Sequence, residues 1–298
     1  MHGIIDTMVK IKMTRNATIP GFGLALKGAS YHLTLTEATY VVNRSCGYVA
    51  DGSCLIDLLL DRAPLPTIAD HYHHLGVVQS KLEGMAKSGV VHIVGCGPSA
   101  SQFSRDDIGE DDIVISCNAS VSICTPDVAL MVEGVCVNQP WFEDVLNFPG
   151  IKVLDCAIAS QLASREARKR SANYWREILW VRRRAYNEGE DLSQIGLGLV
   201  YVEKHGVIRG TVTAQAVHLA KVMGAHTVHL YGVELYFPDG QQHFYDGQVY
   251  TEGNTPESLT LYGDKWSTPY FMESAGAIRK VAEAAGVQMV DHSGGLLS

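Results

Sequence analysis

The sequence predicts an α/β protein with a doubly wound, mostly parallel sheet and a small N-terminal β-rich unit. From residue 90 onward, short apolar runs rich in β-branched residues alternate with amphipathic helical stretches. Such alternation is typical of parallel strands that are joined by helical crossovers. Residues 8–50 differ in texture, with short alternating runs separated by turn-forming residues, and this contrast indicates a separate β-rich unit.

Residues 1–60 form the predicted β-rich unit. MVKIKMTR at 8–15 alternates like an exposed strand, and NATIPGFG at 16–23 is rich in turn-forming residues. LALKGASYHLT at 24–34 predicts a second strand, and TEATYVVNRSCGYVADG at 36–52 predicts a short helix with a trailing strand. Through its basic strand and its KG-x-x-Y turn, the layout resembles a short module at the start of phage-encoded proteins.

Residues 61–89 are predicted to be a linker followed by a helix, and residues 90–298 form the main domain. DRAPLPTIAD carries two prolines, and HYHHLGVVQSKLEGMAKSG has a helical pattern with Gly89 as its stop. The predicted strands of the main domain are VVHIVGC, DIVISCN, DVALMVEG, IKVLDCAI, HTVHLYGVEL and VQMVDHS, and its clearest helices are TVTAQAVHLAKVMG and MESAGAIRKVAEAAG.

Composition excludes several classes of protein. Hydrophobic residues make up 46% and charged residues 19% of the chain, which is an ordinary globular balance. A net charge of -8 argues against nucleic acid or an anionic membrane as the general partner. No apolar run is long enough to span a bilayer, and the N-terminus lacks the order of a signal peptide. The 7 cysteines form no C-x-x-C pair, so we expect a reduced, cytoplasmic protein, in the host cytoplasm if the chain is phage-encoded.

The first strand of the main domain ends in the sequence VGCGPS. Gly95 and Gly97 permit a positive φ and a close approach to the main chain, Pro98 suits the first turn of a helix, and Ser99 offers a hydroxyl and an amide. Amides at a helix start bind phosphate well. The motif has neither the third glycine of a dinucleotide fingerprint nor the G-K-[ST] of a P-loop. It fits a phosphate-binding turn and, equally, a tight strand-to-helix turn without a ligand.

The next two predicted strands end in polar residues. Asn118 fits either a contact to a base or ribose or a helix cap. Glu133 fits a ribose, a metal or an acceptor hydroxyl, or else a solvated acid. The carboxyl ends of parallel strands meet at one edge of the sheet, where ligands bind. We therefore expect Gly95, Gly97, Asn118, Glu133 and Gly232 to line one pocket.

These strand ends, together with IRGTVTAQAVHLAKVMGAHTVHLYGVELYFPDGQQHFYDG at 208–247, resemble a pattern in two related groups of Rossmann-like proteins. One is the bacterial sialyltransferase family that uses CMP-sialic acid. The other is the 6-hydroxymethylpterin diphosphokinase-like family with its phage relatives. The resemblance covers residues 90–298 in patches and implies a nucleotide-binding transferase domain there, with a nucleotide sugar of CMP or UDP type as the donor.

The resemblance also implies roles for individual residues. The nucleotide-binding positions are Gly95, Gly97, Pro98, Ser99, Asn118, Gly210, Thr211, Gly232, Tyr236 and Tyr245. The sequence departs from the sialyltransferase pattern at several positions, two of which bear on the chemistry. Cys96 stands where that family has a nucleotide-contacting asparagine, and WSTPYFMESAG contains no counterpart of its catalytic histidine.

The stretch YGVELYFPDGQQHFYDG concentrates ionisable residues after one predicted strand. His243 is a candidate base toward an acceptor hydroxyl, because imidazole titrates near neutral pH. Glu234 and Glu133 are the other candidate catalytic residues. Alternatively, Glu234 with Asp239 or Asp246 holds Mg²⁺ between phosphate oxygens, since hard cations take carboxylates. A polar surface loop is the remaining alternative.

Motifs and resemblance together predict a nucleotide-dependent transferase, foremost a glycosyltransferase with a nucleotide-sugar donor and an unassigned acceptor. One alternative is diphosphate transfer from ATP to a small hydroxymethyl acceptor. The other is a non-catalytic phage structural or accessory protein that keeps the fold, which Cys96 and the absent histidine favour. A homo-oligomer and virion proteins are the protein partners left open.

Replacement of His243 by alanine tests the proposed base. If the imidazole takes the acceptor proton, turnover should fall by roughly 10²–10⁴ while nucleotide affinity changes little, because a base of this kind contacts the acceptor. Turnover and the nucleotide dissociation constant of the purified variant are the measurements. Full turnover would transfer the base role to Glu133 or Glu234.

Overall fold

In the computed structural model, the N-terminal part forms small antiparallel sheets. The described residues are 8–14, 16–19, 22–34, 37–38, 41, 47–49, 81–155, 158, 174, 177–181, 184–194, 200–204, 207–209, 211–237 and 259–298. The N-terminal strands are β1 (Met8–Met13), β2 (Ala17–Ile19), β3 (Gly23–Ala25), β4 (Ser30–Thr34) and β5 (Gly47–Val49). β1 pairs with β4 and β5, and β2 with β3, all antiparallel.

Two sequence predictions in this part need correction. NATIPGFG was expected to be a turn, but it contains β2, because Ile19 of that strand is buried in a small core with Ile11 and Leu33. The predicted helix before Gly89 ends earlier, since Gly84 takes a positive φ of 73° directly after the last helical residues. The first part of that helix and the predicted boundary near residue 60 lie outside the described residues.

A parallel sheet of seven strands forms the centre of the C-terminal part. The strands after β5 are β6 (Val90–Val94), β7 (Ile113–Cys117), β8 (Val128–Met131), β9 (Ile151–Asp155), β10 (Leu179–Val181), β11 (Arg184–Ala185), β12 (Val200–Lys204), β13 (Val207–Arg209), β14 (Thr227–Tyr231), β15 (Thr260–Tyr262), β16 (Lys265–Ser267) and β17 (Gln288–Asp291). The order of the main sheet is β10-β9-β8-β7-β6-β14-β17, and every neighbouring pair is parallel. The predicted fold class is confirmed.

Helices cover both faces of this sheet. They are α1 (Phe142–Asn147), α2 (Val212–Val222) and α3 (Pro269–Ala285) among the residues the structure describes. α2 and α3 bury one face, where Ile93 and Leu230 are in one core with the helices. α1 packs on the opposite face with Met131 and Leu154. Strands covered on both faces read as continuous apolar runs, which is why their positions were predictable.

The connections orient the helices toward one edge of the sheet. α2 and α3 each lead into the amino end of the following strand, through Gly224 and Gly286, which have positive φ values. Their first residues therefore lie at the carboxyl edge, with Thr211 and Thr268 as the N-caps. None of the helices that the structure describes is both long and apolar enough to cross a membrane.

The buried N-cap of α3 gives a prediction about stability. The Thr268 hydroxyl accepts the main-chain N–H of Phe271 at 3.2 Å. Thr268→Ala should lower the free energy of unfolding by about 1 kcal/mol, because that N–H then has no acceptor. Thr268→Ser keeps the oxygen and should retain most of the stability in urea unfolding. Equal losses in the two variants would show that the methyl group, and not the cap, stabilises this position.

Candidate functional site

The strand order of the main sheet reverses at β6. β7 to β10 lie on one side of β6, and β14 and β17 lie on the other. In open α/β sheets, ligands generally bind beyond the carboxyl ends of the strands at such a point. The loop after β6 holds residues 95–99 and the loop after β14 holds residues 232–234. Two motifs that lie far apart in the sequence therefore meet here.

The glycine turn after β6 packs against the chain itself. The Gly95 N–H donates to the Tyr231 carbonyl at 2.7 Å, and the Gly97 N–H to the Gly232 carbonyl at 2.8 Å. In return, the Gly232 N–H donates to Ser99 Oγ at 3.1 Å. A Cβ atom on Gly95 would lie 2.3 Å from the Gly232 oxygen. The loop after β14 thus makes the close approach that the glycines permit.

The Glu234 carboxylate occupies the start of the short helix Pro98–Gln102. Its Oε1 atom accepts the Ser99 N–H at 2.6 Å, and a Cβ on Gly97 would lie 1.5 Å from its Oε2 atom. Glu234 is only 3% exposed. A carboxylate that accepts a main-chain N–H forms a strong, charge-assisted hydrogen bond. The Glu234 carboxylate therefore binds the Ser99 amide, which the sequence analysis proposed as a donor to phosphate.

The backbone next to Glu234 is strained at Leu235, which has a φ of 55° that a bulky residue rarely adopts. Gly232 has a φ of 65°, which glycine adopts without strain. Strained residues of this kind cluster at functional sites, where the surrounding structure holds them. The Ser267 hydroxyl donates to the Leu235 carbonyl at 2.7 Å, and the Phe237 N–H donates to the Trp266 carbonyl at 2.8 Å. β16 thereby holds the strained loop, and the loop aims the carboxylate at the turn.

Cys96 connects the turn to the end of β7. Its thiol donates to the Cys117 carbonyl at 3.1 Å, and the Ser120 hydroxyl donates to the Val94 carbonyl at 2.6 Å. Burial raises the pKa of the Cys96 thiol to about 12, so the thiol stays protonated. In this position, where the resemblance implies an asparagine, the side chain bonds to the protein's own main chain.

Asn118 and Glu133 are linked through Cys136 at the same sheet edge. Asn118 has a φ of 56°, which asparagine tolerates better than most residues. Its Oδ1 atom accepts a weak hydrogen bond from the Cys136 thiol at 3.8 Å. The Cys136 N–H donates to the Glu133 carbonyl at 3.0 Å. Asn118 therefore follows β7, the neighbour of the strand that carries the glycine turn, and Glu133 follows β8, one strand further away.

The remaining predicted residues are placed as follows. Thr211 accepts the Ala214 N–H at 3.4 Å as the cap of α2, and the Tyr236 ring lies 5.3 Å from Lys265 Nζ. In the part of the chain that the structure describes, no three His, Cys, Asp or Glu side chains are grouped to hold a metal. The predicted residues outside the described ranges are Gly210, Asp239, His243, Tyr245 and Asp246.

Sequence reasoning missed the C-terminal residues that contact the Glu234 loop. The Val233 N–H donates to Ser293 Oγ at 2.9 Å, and the Leu296 N–H donates to the Glu234 carbonyl at 2.9 Å. A Cβ on Gly295 would lie 2.2 Å from that carbonyl oxygen. The signal for this contact was the pair of adjacent glycines shortly after the last predicted strand.

Comparison with known proteins gives one structural similarity. No family model and no curated protein matches the chain. The sialyltransferase CstII from Campylobacter jejuni, solved in complex with a substrate analogue, cytidine-5'-monophosphate, is 12% identical, and the match covers 70% of this chain and 82% of that chain with a TM-score of 0.35. At this identity and TM-score, function has to be argued from the residues of this chain.

Gly97→Ala tests whether the close approach at the turn is made by Glu234. Gly97 has a φ of -71°, which alanine adopts readily, so the effect should come from crowding alone. We expect a loss of about 1–3 kcal/mol in unfolding free energy, the usual cost of overpacking.

Two further variants control this experiment. Gly276→Ala on α3 meets nothing within 4 Å and should stabilise the helix by about 0.5–1 kcal/mol. In a Glu234→Ala background, Gly97→Ala should cost much less, because the crowded side chain is absent. An undiminished cost in that background would mean that Glu234 is not the neighbour that excludes a side chain at residue 97.

Proposed function

We propose that this chain is a nucleotide-dependent transferase of the glycosyltransferase type, with its donor site at the carboxyl ends of β6 and β14. The observation that supports the proposal is the buried Glu234 carboxylate at the point where the strand order reverses. Clefts at this point of an open α/β sheet are the usual ligand sites. A carboxylate shielded from water there suits contact with hydroxyl groups, which sugars supply in number.

In this proposal Glu234 is the base. Oε1 accepts the Ser99 N–H, and Oε2 lies against the main chain of Gly97. Oε2 takes the proton of the acceptor hydroxyl, the acceptor oxygen bonds to the anomeric carbon of the donor sugar, and the bond from that carbon to the nucleotide phosphate breaks. His243 is the alternative base, as the sequence predicts.

The donor phosphate would then bind away from the Ser99 amide. Two anions at one amide repel each other, so the phosphate and the Glu234 carboxylate need separate partners. Asn118 at the end of β7 and Tyr236 in the loop after β14 are the proposed contacts for the nucleotide. Both come from the sequence prediction and follow strands at the carboxyl edge.

A non-catalytic protein is the second candidate, and one specific observation favours it. Every close approach recorded at Gly95 and Gly97 is made by residues 232–234 of the chain itself. The turn therefore needs no ligand to explain its glycines. In that case Glu234 has a structural role, and nucleotides should not bind.

Nucleotide binding separates these two candidates. Thermal unfolding should be measured with CMP, UDP, GDP and ATP, each with and without Mg²⁺. CMP is the first probe, since it accompanies the similar sialyltransferase structure. A ligand at 100 times its Kd should add about 2.7 kcal/mol of stability. If neither a nucleotide nor a nucleotide sugar binds at millimolar concentration, the transferase proposal is wrong.

Glu234→Gln tests the proposed base in a nearly isosteric variant. The amide oxygen can still accept the Ser99 N–H, but it takes no proton. Turnover should fall by roughly 10²–10⁴, with the Kd for CMP changed little, because a base acts in the transition state. Glu283→Gln, an exposed position on α3, is the matched control and should leave turnover unchanged. Undiminished turnover in Glu234→Gln would assign the base to His243 or Glu133.

A further inference from the structure

The C-terminal residues hold the loop that carries Glu234. We call residues 293–296 the C-terminal clamp. Ser293 Oγ accepts the Val233 N–H at 2.9 Å, and the Leu296 N–H donates to the Glu234 carbonyl at 2.9 Å. Val233, Glu234 and Ser293 are all buried. The clamp therefore satisfies main-chain groups on both sides of the Glu234 Cα atom, where an unpaired group would be costly.

Close packing adds to these hydrogen bonds. A Cβ atom on Gly295 would lie 2.2 Å from the Glu234 oxygen and 2.5 Å from its Cα atom. From the other side, Lys265 Nζ donates to the Gly294 and Gly295 carbonyls, at 3.1 Å each, and Arg279 donates to the Leu296 carbonyl. The clamp is itself fixed, so its position determines that of Glu234.

Imidazole rings lie directly before the clamp. His292 Nε2 is 2.8 Å from His229 Nδ1, and the His292 ring stacks on Tyr231 with centroids 4.5 Å apart. His229 in turn stacks on the buried His92 at 4.8 Å. A hydrogen bond between two imidazoles needs one N–H and one lone pair. If both facing nitrogens carry protons, the two rings repel each other.

Burial favours the neutral form of His229. His92 on β6 and Tyr231 on β14 contact the pair, Asp112 lies 3.1 Å from the other side of His92, and Arg105 lies near that side. Burial, followed by the charges on His92 and His292, lowers the pKa of His229 below its ordinary 6.5. The folded protein thus favours neutral His229. The stability that this provides is complete above pH 6.5 and is lost as the pH falls below it.

We propose that the C-terminal clamp positions the Glu234 carboxylate on the Ser99 amide, and that protonation of the His229–His292 pair releases it. This inference rests on the proposed function in that it describes regulation of the same site. It assigns Ser293, Gly295 and His292 as positioning residues, since none of them contacts the reacting atoms. The clamp holds Glu234 at neutral pH and loosens it in acid.

Hydrogen exchange of single amides in the full chain, without nucleotide, tests the clamp. Ser293→Ala and Gly295→Ala should each reduce the protection of the Val233 and Leu296 amides by about tenfold, the size expected when one buried hydrogen bond is lost. They should also reduce the protection of the Ser99 amide, which is remote in sequence and contacts only the carboxylate. Unchanged Ser99 protection in both variants would overturn the positioning role.

The acid response is tested with His292→Phe, which keeps a ring on Tyr231 but takes no proton. In the unmodified protein, Ser99 and Val233 protection, corrected for intrinsic exchange, should fall between pH 7.5 and pH 5.5. In His292→Phe the values should stay level, whereas His32→Phe on β4 should respond like the unmodified protein. An equal fall in amide protection in His292→Phe would overturn the proposal that protonation of the His229–His292 pair releases the clamp. Because these readouts need no substrate, they are independent of the turnover results that test the base role.

Discussion

The hydrogen bond between the Ser99 main chain and the Glu234 carboxylate spans the point where the strand order of the sheet reverses. The two residues are 135 positions apart, and the pairing of β6 with β14 brings them together. It is charge-assisted and shielded from water, and a low local dielectric strengthens such bonds. A buried carboxylate without a donor would be costly, so the surrounding loops have to adapt to it.

The glycines around this carboxylate follow from that constraint. A Cβ atom at Gly95, Gly97 or Gly295 would lie 2.3, 1.5 or 2.2 Å from the Gly232–Glu234 segment. Three glycines in two separate parts of the chain thus omit a side chain to let the same loop approach. The motif G-x-G-P-S indicates a close approach to the main chain. A ligand and a second segment of the chain require the same glycines, so the motif does not distinguish between them.

The parallel sheet was predictable because its signal is local. VVHIV of β6 and VALM of β8 are apolar on both faces, since helices or loops cover both sides, and each run is bounded by turn residues. Where the signal was weaker, prediction failed. β10 is flanked by arginines in the sequence and was not predicted. β2 was hidden among turn residues because only Ile19 carries its buried face.

The site was only partly predictable, because its contacts join distant elements. The sequence alone shows that polar residues follow the predicted strands, as Asn118, Glu133 and Glu234 do. Which of them meet depends on β6 lying next to β14, and no local pattern states this adjacency. The partner of Ser99 and the role of Ser293 are consequences of strand order. They became visible only in three dimensions.

β14 unites the core and the site in one strand. Val228 and Leu230 belong to the core with α2 and α3. His229 and Tyr231 face the other side, where His229 stacks on His92 and Tyr231 stacks on His292. The face packed on the helices gives the strand a fixed position. The other face connects it, through the His292 ring, to the segment that contacts the Glu234 loop. A carboxylate that is held only by loops at the sheet edge can be repositioned while the core stays intact.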